Sequence, residues 1–206
     1  MKQRRKPYFW VSWLTPLLVG EDNCEWKVWM KAHYQDLRKL PSDFDSDKWN
    51  ENHTALLTSL RDEYTPKVSR ILTEGQTSWK IEGQTAIVAG KMDLVTFEPN
   101  LVIDAKTGKQ KDSHSAQMRI YLLAIELGAV PDVSGRFNAV LRYGDRAVDV
   151  RGPDATFKER FYGLVKRLAG PQMEPIPSFN ECKYCDLADC ESRYGESPKP
   201  LETVEF

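Results

Sequence analysis

Residues 85–109 read TAIVAGKMDLVTFEPNLVIDAKTGK, and the fold is decided there. Two apolar runs, Thr85–Phe97 and Leu101–Lys106, flank Glu98-Pro99-Asn100, a turn signal between two predicted strands. A shorter run, Ser78–Ile81, precedes them, with Gly75 and Gly83 marking the change to β structure. Side chains alternate across a strand, so Val102, Asp104 and Lys106 leave one face and Leu101, Ile103 and Ala105 the other. Asp93, on the preceding strand, approaches Asp104 from the side across the short turn. Gly90 stands near it, where a side chain would obstruct a close backbone approach.

Two converging carboxylates repel, so something positive must hold them: Lys106 or a divalent cation. Mg²⁺ and Mn²⁺ prefer oxygen ligands and leave positions for water and phosphate. A neighbouring lysine can position or deprotonate the attacking water. These are the parts of metal-assisted phosphodiester hydrolysis. Asp-x-Lys alone is also what a surface hairpin with one ion pair would show. The apolar run Leu101–Ile103 entering the pair, and the basic Thr107-Gly108-Lys109 leaving it, favour a site.

Upstream, the spacing predicts a helix over Glu21–Leu40, with Trp26, Trp29, Met30, His33 and Leu37 along it. After the polar connection Pro41–Asp47, a second helix is predicted over Asp47–Leu72, with Trp49, His53, Leu56, Leu57 and Leu60 on one side. Downstream come a basic loop, Thr107–Ser113, and a helix capped by Ser113 or Ser115 that runs to about Leu127. Arg136–Tyr143 and Arg146–Val150 form a hairpin around Gly144–Asp145. Asp154 caps a last helix, with Phe157, Phe161, Leu164, Val165 and Leu168 on one face and Gly170 at its end; a proline-punctuated tail follows. The order predicts an α/β fold, a mixed central sheet flanked by helices. A length of 206 residues suits one domain, 1–206.

The net charge is −1, so bulk charge does not announce a nucleic-acid partner, and binding must come from local patches. Residues 1–40 hold eight Lys/Arg against four Asp/Glu, and Lys106, Lys109 and Lys111 cluster after Asp104. The tail from Glu181 is acidic, with seven acids against three bases. Lys2, Arg4, Arg5 and Lys6 before Tyr8–Val19 have the outline of a secretory leader. Trp10, Trp13 and Pro16, the lack of a small-residue cleavage site, and Asp22–Asn23 before Cys24 argue for an apolar arm packed on the core of a cytosolic protein. Trp10 and Trp13 are also candidates for stacking on bases. No segment reaches the roughly 20 apolar residues that span a bilayer.

Of four cysteines, Cys182, Cys185 and Cys190 lie within nine residues and Cys24 lies far upstream. Three clustered thiols and one distant thiol suit a metal better than a disulfide framework. Iron–sulfur clusters and structural zinc both accept four thiolates, and spacing does not separate them. A non-cleaving, metal-stapled DNA-binding module and a redox-sensing interaction protein are the alternatives to an enzyme. Intact Asp93, Asp104 and Lys106 favour the enzyme.

Gly90-Lys91-Met92-Asp93 followed by Ile103-Asp104-Ala105-Lys106-Thr107-Gly108-Lys109 resembles the core of RecB-like PD-(D/E)XK nucleases. The resemblance implies a restriction-endonuclease-like core, about 47–170, and Mg²⁺- or Mn²⁺-dependent DNA cleavage. It implies metal binding by Asp93, Asp104 and the Ala105 carbonyl, and a catalytic Lys106. Gln117 and Tyr121 resemble the family's Gln/Tyr motif beside the active site. The family's upstream histidine ligand falls on His53, which leads the apolar stretch Ala55–Leu60; His33 reads as packed or interfacial, and His114 as solvated or near DNA. One cysteine before the core and three after it resemble the iron–sulfur members, the CRISPR-associated RecB-like exonucleases and the AddB nuclease domain. A 4Fe-4S cluster would then staple segments 21–40 and 180–192 through Cys24, Cys182, Cys185 and Cys190. The gap before Cys190 is one residue shorter than is common there. The resemblance further implies a preference for single strands, exonuclease or endonuclease action, and CRISPR adaptation proteins or a helicase or recombination partner. No Walker-type loop is present to supply a helicase.

Overall fold

The computed structural model describes residues 1–194 apart from Asp43 and Asp145. Asp145 of the expected hairpin turn and the acidic tail beyond Tyr194 lie outside the described residues. In chain order the elements are β1 (Lys2–Gln3), β2 (Tyr8–Trp10), α1 (Val11–Val19), α2 (Glu25–His33), β3 (Tyr34–Gln35) and α3 (Ser46–Tyr64). A 3₁₀ turn (Thr65–Lys67) leads to β4 (Arg70–Thr73), β5 (Ser78–Glu82), β6 (Ile87–Lys91), β7 (Leu94–Phe97) and β8 (Leu101–Ala105). Then follow α4 (Asp112–Glu126), β9 (Asn138–Tyr143), β10 (Arg146–Val150), α5 (Ala155–Leu168) and α6 (Phe179–Lys183).

The central sheet has the order β10-β9-β8-β7-β4 and is mixed: β8 and β9 run parallel, the other neighbours antiparallel. Parallel neighbours need a crossover, and α4 supplies it. The alternation read in β8 holds. Ile103 and Ala105 join Leu60 and Leu94 under α3, while Val102 faces the larger core with residues of α1, α4 and α5. Burying a side chain such as Ile103 contributes about 1.5–3 kcal/mol, so the two faces hold β8 in register. The sheet is thus clamped between α3 on one face and the α1–α4 layer on the other.

Three expectations change, and a fourth, the apolar arm packed on the core, holds and gains its elements. Thr85–Phe97 is two strands in two sheets: β6 pairs with β2 and β5, whereas β7 pairs with β4 and β8. The chain crosses between the sheets at Met92–Asp93, where no glycine or proline punctuates. The crossing is held instead by Thr77, whose hydroxyl donates to the Met92 carbonyl, and by burial of the Met92 side chain. The helix predicted over Asp47–Leu72 stops at Tyr64, because Pro66 has no amide hydrogen to continue it, and Arg70–Thr73 becomes the edge strand β4. The helix predicted over Glu21–Leu40 contracts to α2; Tyr34 and Gln35 turn away to pair with Lys2 and Gln3. The apolar arm is a strand and a helix: β2 lies parallel to β6, and α1 buries Leu14 and Leu18 before Gly20 ends it in the left-handed conformation, φ 76°.

Capping differs in a similar way. Asp154 caps α5 as expected, accepting from the Phe157 amide at 2.8 Å. At α4 neither Ser113 nor Ser115 does this. The Glu21 carboxylate reaches across and accepts from the Ser113 amide at 3.0 Å, a negative charge at a helix N-terminus.

Candidate active site

The site forms where β8 leaves the central sheet. Asp93 immediately precedes β7, whose Leu94 pairs with Ile103, and so comes beside Asp104, whose carboxyl feels its charge. Both carboxylates are buried, at 7% and 1% exposure. The Ala105 amide donates to Asp93 Oδ2 at 2.7 Å, and His53 Nε2, brought by α3, stands 3.5 Å from the same oxygen. The Asp93 contact raises the proton affinity of His53 against the opposing effect of burial. The His53 ring lies against Trp49, one helical turn earlier, with centroids 4.9 Å apart and planes 12° from parallel.

Toward α4, Lys106 Nζ lies 2.6 Å from Asp104 Oδ2 and donates to Gln117 Oε1 at 3.1 Å. Gln117 Nε2 donates to the Tyr121 hydroxyl at 2.5 Å and makes a long 3.5 Å contact with Asp104 Oδ1. The Tyr121 hydroxyl donates to the Lys91 carbonyl at 2.7 Å. Burial, and then the charge of Asp104, push the Tyr121 hydroxyl well above its ordinary range, so it stays protonated and can donate. Tyr121 rests edge-on against Trp79, with centroids 6.0 Å apart. A Cβ at Gly90 would lie 2.5 Å from the Trp79 ring. The space kept by Gly90 therefore belongs to Trp79, not to an approaching backbone, and Trp79 in turn supports Tyr121.

Burial raises Asp104 from its ordinary 3.8 to about 7, with the neighbouring Asp93 charge adding to the effect and Lys106 opposing it. Asp104 Oδ2 has no hydrogen-bond partner although it is buried. The 2.6 Å approach of Lys106 to that oxygen is an ion pair without hydrogen-bond alignment. Two neighbouring carboxylates, one of them with an unsatisfied oxygen, and an imidazole are a donor set that suits Mg²⁺ or Mn²⁺. Among the described residues no three His, Cys, Asp or Glu side chains are already gathered as a bound ion would hold them. Asp104 is engaged with Lys106, so that ammonium must yield when a cation enters.

These residues line an open cleft of about 650 Å³. Glu74, just after β4, lies in the same cleft, pairs with Lys91 at 3.1 Å and helps hold the charge on His53. It belongs to no motif, and only its place between an unrecognised strand and Gly75 marks it. His114 also lines the cleft, half-buried, with Nδ1 2.8 Å from the Tyr143 hydroxyl. Burial, then Lys106 and Lys111, depress it to about 4, so it is neutral at neutral pH. His33 lies elsewhere, stacked on Trp29 at 4.4 Å with Nε2 2.9 Å from the Leu168 carbonyl. A second hollow of about 610 Å³ lies beside α4 and the end of β10. Asp154 and Glu126 there are engaged by Arg119 and Lys158, each at 2.6 Å, and it gathers no comparable chemistry.

The four cysteines line one small cavity, although no three of them are gathered closely enough to hold one ion. Cys24, which precedes α2, lines it with Cys182, Cys185 and Cys190; all four are free thiols. Burial raises the Cys190 thiol, and the other three add to the effect. The tail is tied back by side chains as well. Asn23 bonds Glu181 at 3.1 Å, Lys31 pairs with Asp186 at 2.6 Å, and Arg193 holds the carbonyls of Cys182, Cys185 and Leu187 at 2.8–2.9 Å. Four thiols are a suitable donor set for iron–sulfur or zinc. The cavity they line together with Trp26, Pro175 and Arg193 is small, about 10 Å³.

Residues 24–190 match the family described as the PD-(D/E)XK nuclease superfamily. No curated protein matches the chain. Among solved structures, a protein designated SSO0001 is 21% identical, with a TM-score of 0.49 over 88% of this chain and 84% of that one. A candidate exonuclease from Eubacterium rectale is 12% identical, with a TM-score of 0.45 over 82% of this chain and 84% of that one.

Proposed function

The chain belongs to the PD-(D/E)XK nuclease superfamily, and from that premise we propose that it is a Mg²⁺- or Mn²⁺-dependent deoxyribonuclease that prefers single-stranded DNA. The observation that carries the proposal is the pair of buried, neighbouring carboxylates, Asp93 and Asp104, with Lys106 beside them at the mouth of a cleft. Asp93, Asp104, His53 and the Ala105 carbonyl would hold the ion on a restriction-endonuclease-like core. When bound, the ion supplies a Lewis acid that lowers the pKa of water and neutralises charge on the scissile phosphate.

The protein's own groups do the rest. The Lys106 ammonium, once displaced from Asp104, orients the attacking water and stabilises the developing negative charge. Gln117 keeps Lys106 within reach of the cleft, and Tyr121 fixes Gln117 by tying it to the Lys91 carbonyl. Water oxygen bonds to phosphorus as the bond to the 3′-oxygen breaks, the water's proton is released to solvent and the 3′-oxygen leaves as a hydroxyl protonated from solvent, and the product carries a 5′-phosphate. In this reading 1–206 is one nuclease domain with its core at about 47–170. The four cysteines carry a 4Fe-4S cluster that crosslinks the two ends of the domain, where closing a very long loop constrains the unfolded chain most. No described helix is long and apolar enough to cross a membrane. We place the enzyme in the cytoplasm, acting with CRISPR adaptation proteins or with a helicase of recombination or repair.

The test is cleavage of end-labelled single-stranded and duplex DNA by anaerobically purified protein in Mn²⁺, Mg²⁺ or EDTA, beside Lys106→Ala. Metal-dependent cleavage of the single strand, lost in the variant, is expected from a brown protein that absorbs near 400 nm. A folded protein that cleaves neither substrate refutes the nuclease. A colourless protein containing zinc refutes the cluster alone.

A further inference from the structure

We propose that Trp10 and Trp49 form a base-stacking gate through which an unpaired DNA strand enters the cleft; this rests on the reading of the site as a DNA nuclease. Both indoles line the cleft that holds Asp93, Asp104 and Lys106, and each is 43% exposed. They arrive from opposite faces of the central sheet. Trp10 ends β2 and leads into α1, on the α4 side, while Trp49 rides on α3.

Neither ring is needed by the core. Along β2 and into α1, Phe9 and Val11 are buried and Trp10 between them points out. On α3 the deeply buried apolar residue is Leu60, and Trp49 lies a helical turn from His53 at the other end. The stack of Trp49 on His53 fixes the plane of the indole against the imidazole nearest Asp93. Phe44, 63% exposed, leans on Trp49 at 6.5 Å and extends the aromatic surface outward. Lys109 and Lys111, both exposed, line the same cleft and offer positive charge to the phosphates.

Aromatic faces beside a basic track are how proteins hold single strands irrespective of sequence. A duplex cannot use them, because its base faces are covered by neighbouring pairs. The gate thus supplies a physical basis for strand preference at a site whose carboxylates alone would accept any phosphodiester.

The experiment measures binding by the full chain in EDTA, with no cleavage. The probes are a fluorescein-labelled oligo(dT) and a blunt duplex of equal length, tested against wild type, Trp10→Ala, Trp49→Ala and the matching Phe variants. Stacking lost at one tryptophan is expected to weaken oligo(dT) binding by roughly five- to a hundredfold. The loss on oligo(dT) should exceed that on duplex at least fivefold, Phe should restore most of it, and oligo(dT) should quench the wild-type indole fluorescence. Oligo(dT) affinity within twofold of wild type in both Ala variants overturns the gate, as does an equal loss on duplex. Tryptophan-dependent binding by a protein that cleaves nothing in Mn²⁺ supports the gate and refutes the nuclease. Metal-dependent cleavage with tryptophan-independent binding does the reverse.

Discussion

Replacing Asp104 by asparagine keeps the shape of the side chain and removes its charge. In the metal-free protein that charge is costly: an affinity for the proton raised from 3.8 to about 7 corresponds to on the order of 4 kcal/mol for ionising Asp104 in place. The sign follows from linkage. A carboxyl whose folded pKa is raised contributes its stability fully below about 4, loses it progressively as pH rises from 4 to 7, and contributes none above that. Wild type measured against Asp104→Asn should therefore lose a few kcal/mol between pH 5 and pH 8 in EDTA. A divalent cation offsets part of that loss, because it binds the ionised pair. At a hundred times its dissociation constant it stabilises wild type by about 2.7 kcal/mol, and more readily at pH 8 than at pH 5. The variant should gain little. The assay is denaturant unfolding of both proteins at the two pH values, in EDTA and in Mn²⁺. A difference between them that does not change with pH, together with equal stabilisation by Mn²⁺, would refute both the buried-pair electrostatics and the choice of Asp104 as a ligand.

Gly90→Ala should lower stability by about 1–3 kcal/mol, because the new methyl meets the Trp79 ring at 2.5 Å; it should also reduce cleavage through the tilt passed to Tyr121, and unchanged melting and activity would show that Trp79 moves freely. Tyr121→Phe removes the donor to the Lys91 carbonyl and should cost about 0.5–1.5 kcal/mol in thermal melts, with cleavage falling as Gln117 loses its anchor; full activity would remove Tyr121 from the site. Cys→Ser at each of positions 24, 182, 185 and 190 should lower the melting temperature and the iron content together, and normal melting in all four variants would defeat the crosslink.

The parts of this molecule legible in sequence are those where one strong local rule acts. Alternation in Leu101–Lys106 separated Asp104 and Lys106 from Ile103 and Ala105, and the two cores fall on those faces. Helical spacing placed Gln117 beside Tyr121, and Asp154 capped α5 as its type suggests. What failed depended on distant partners. Met92–Asp93 looks like strand interior, and only Thr77 and the separate partners of β6 and β7 break it. The start of α4 is capped by Glu21, ninety-two positions away, which no local signal announces. Pro66 is the local signal that ends α3, and the helix expected to Leu72 runs through it. Glu74 stayed hidden because its importance is only its position in the cleft.

The Met92–Asp93 crossing also sets where chain length can vary. Most surface connections absorb extra residues at small cost. Thr107–Lys111, exposed beyond Lys106, is such a connection. One residue inserted between Lys91 and Leu94 is different. It must slide β6 against β2 and β5, or β7 against β4 and β8, and a single-residue slip turns every side chain of a strand to the wrong face. The same slip carries Asp93 out of line with Asp104. Across any set of related sequences, insertions and deletions should therefore be absent from these two positions, even where the identity of Met92 changes.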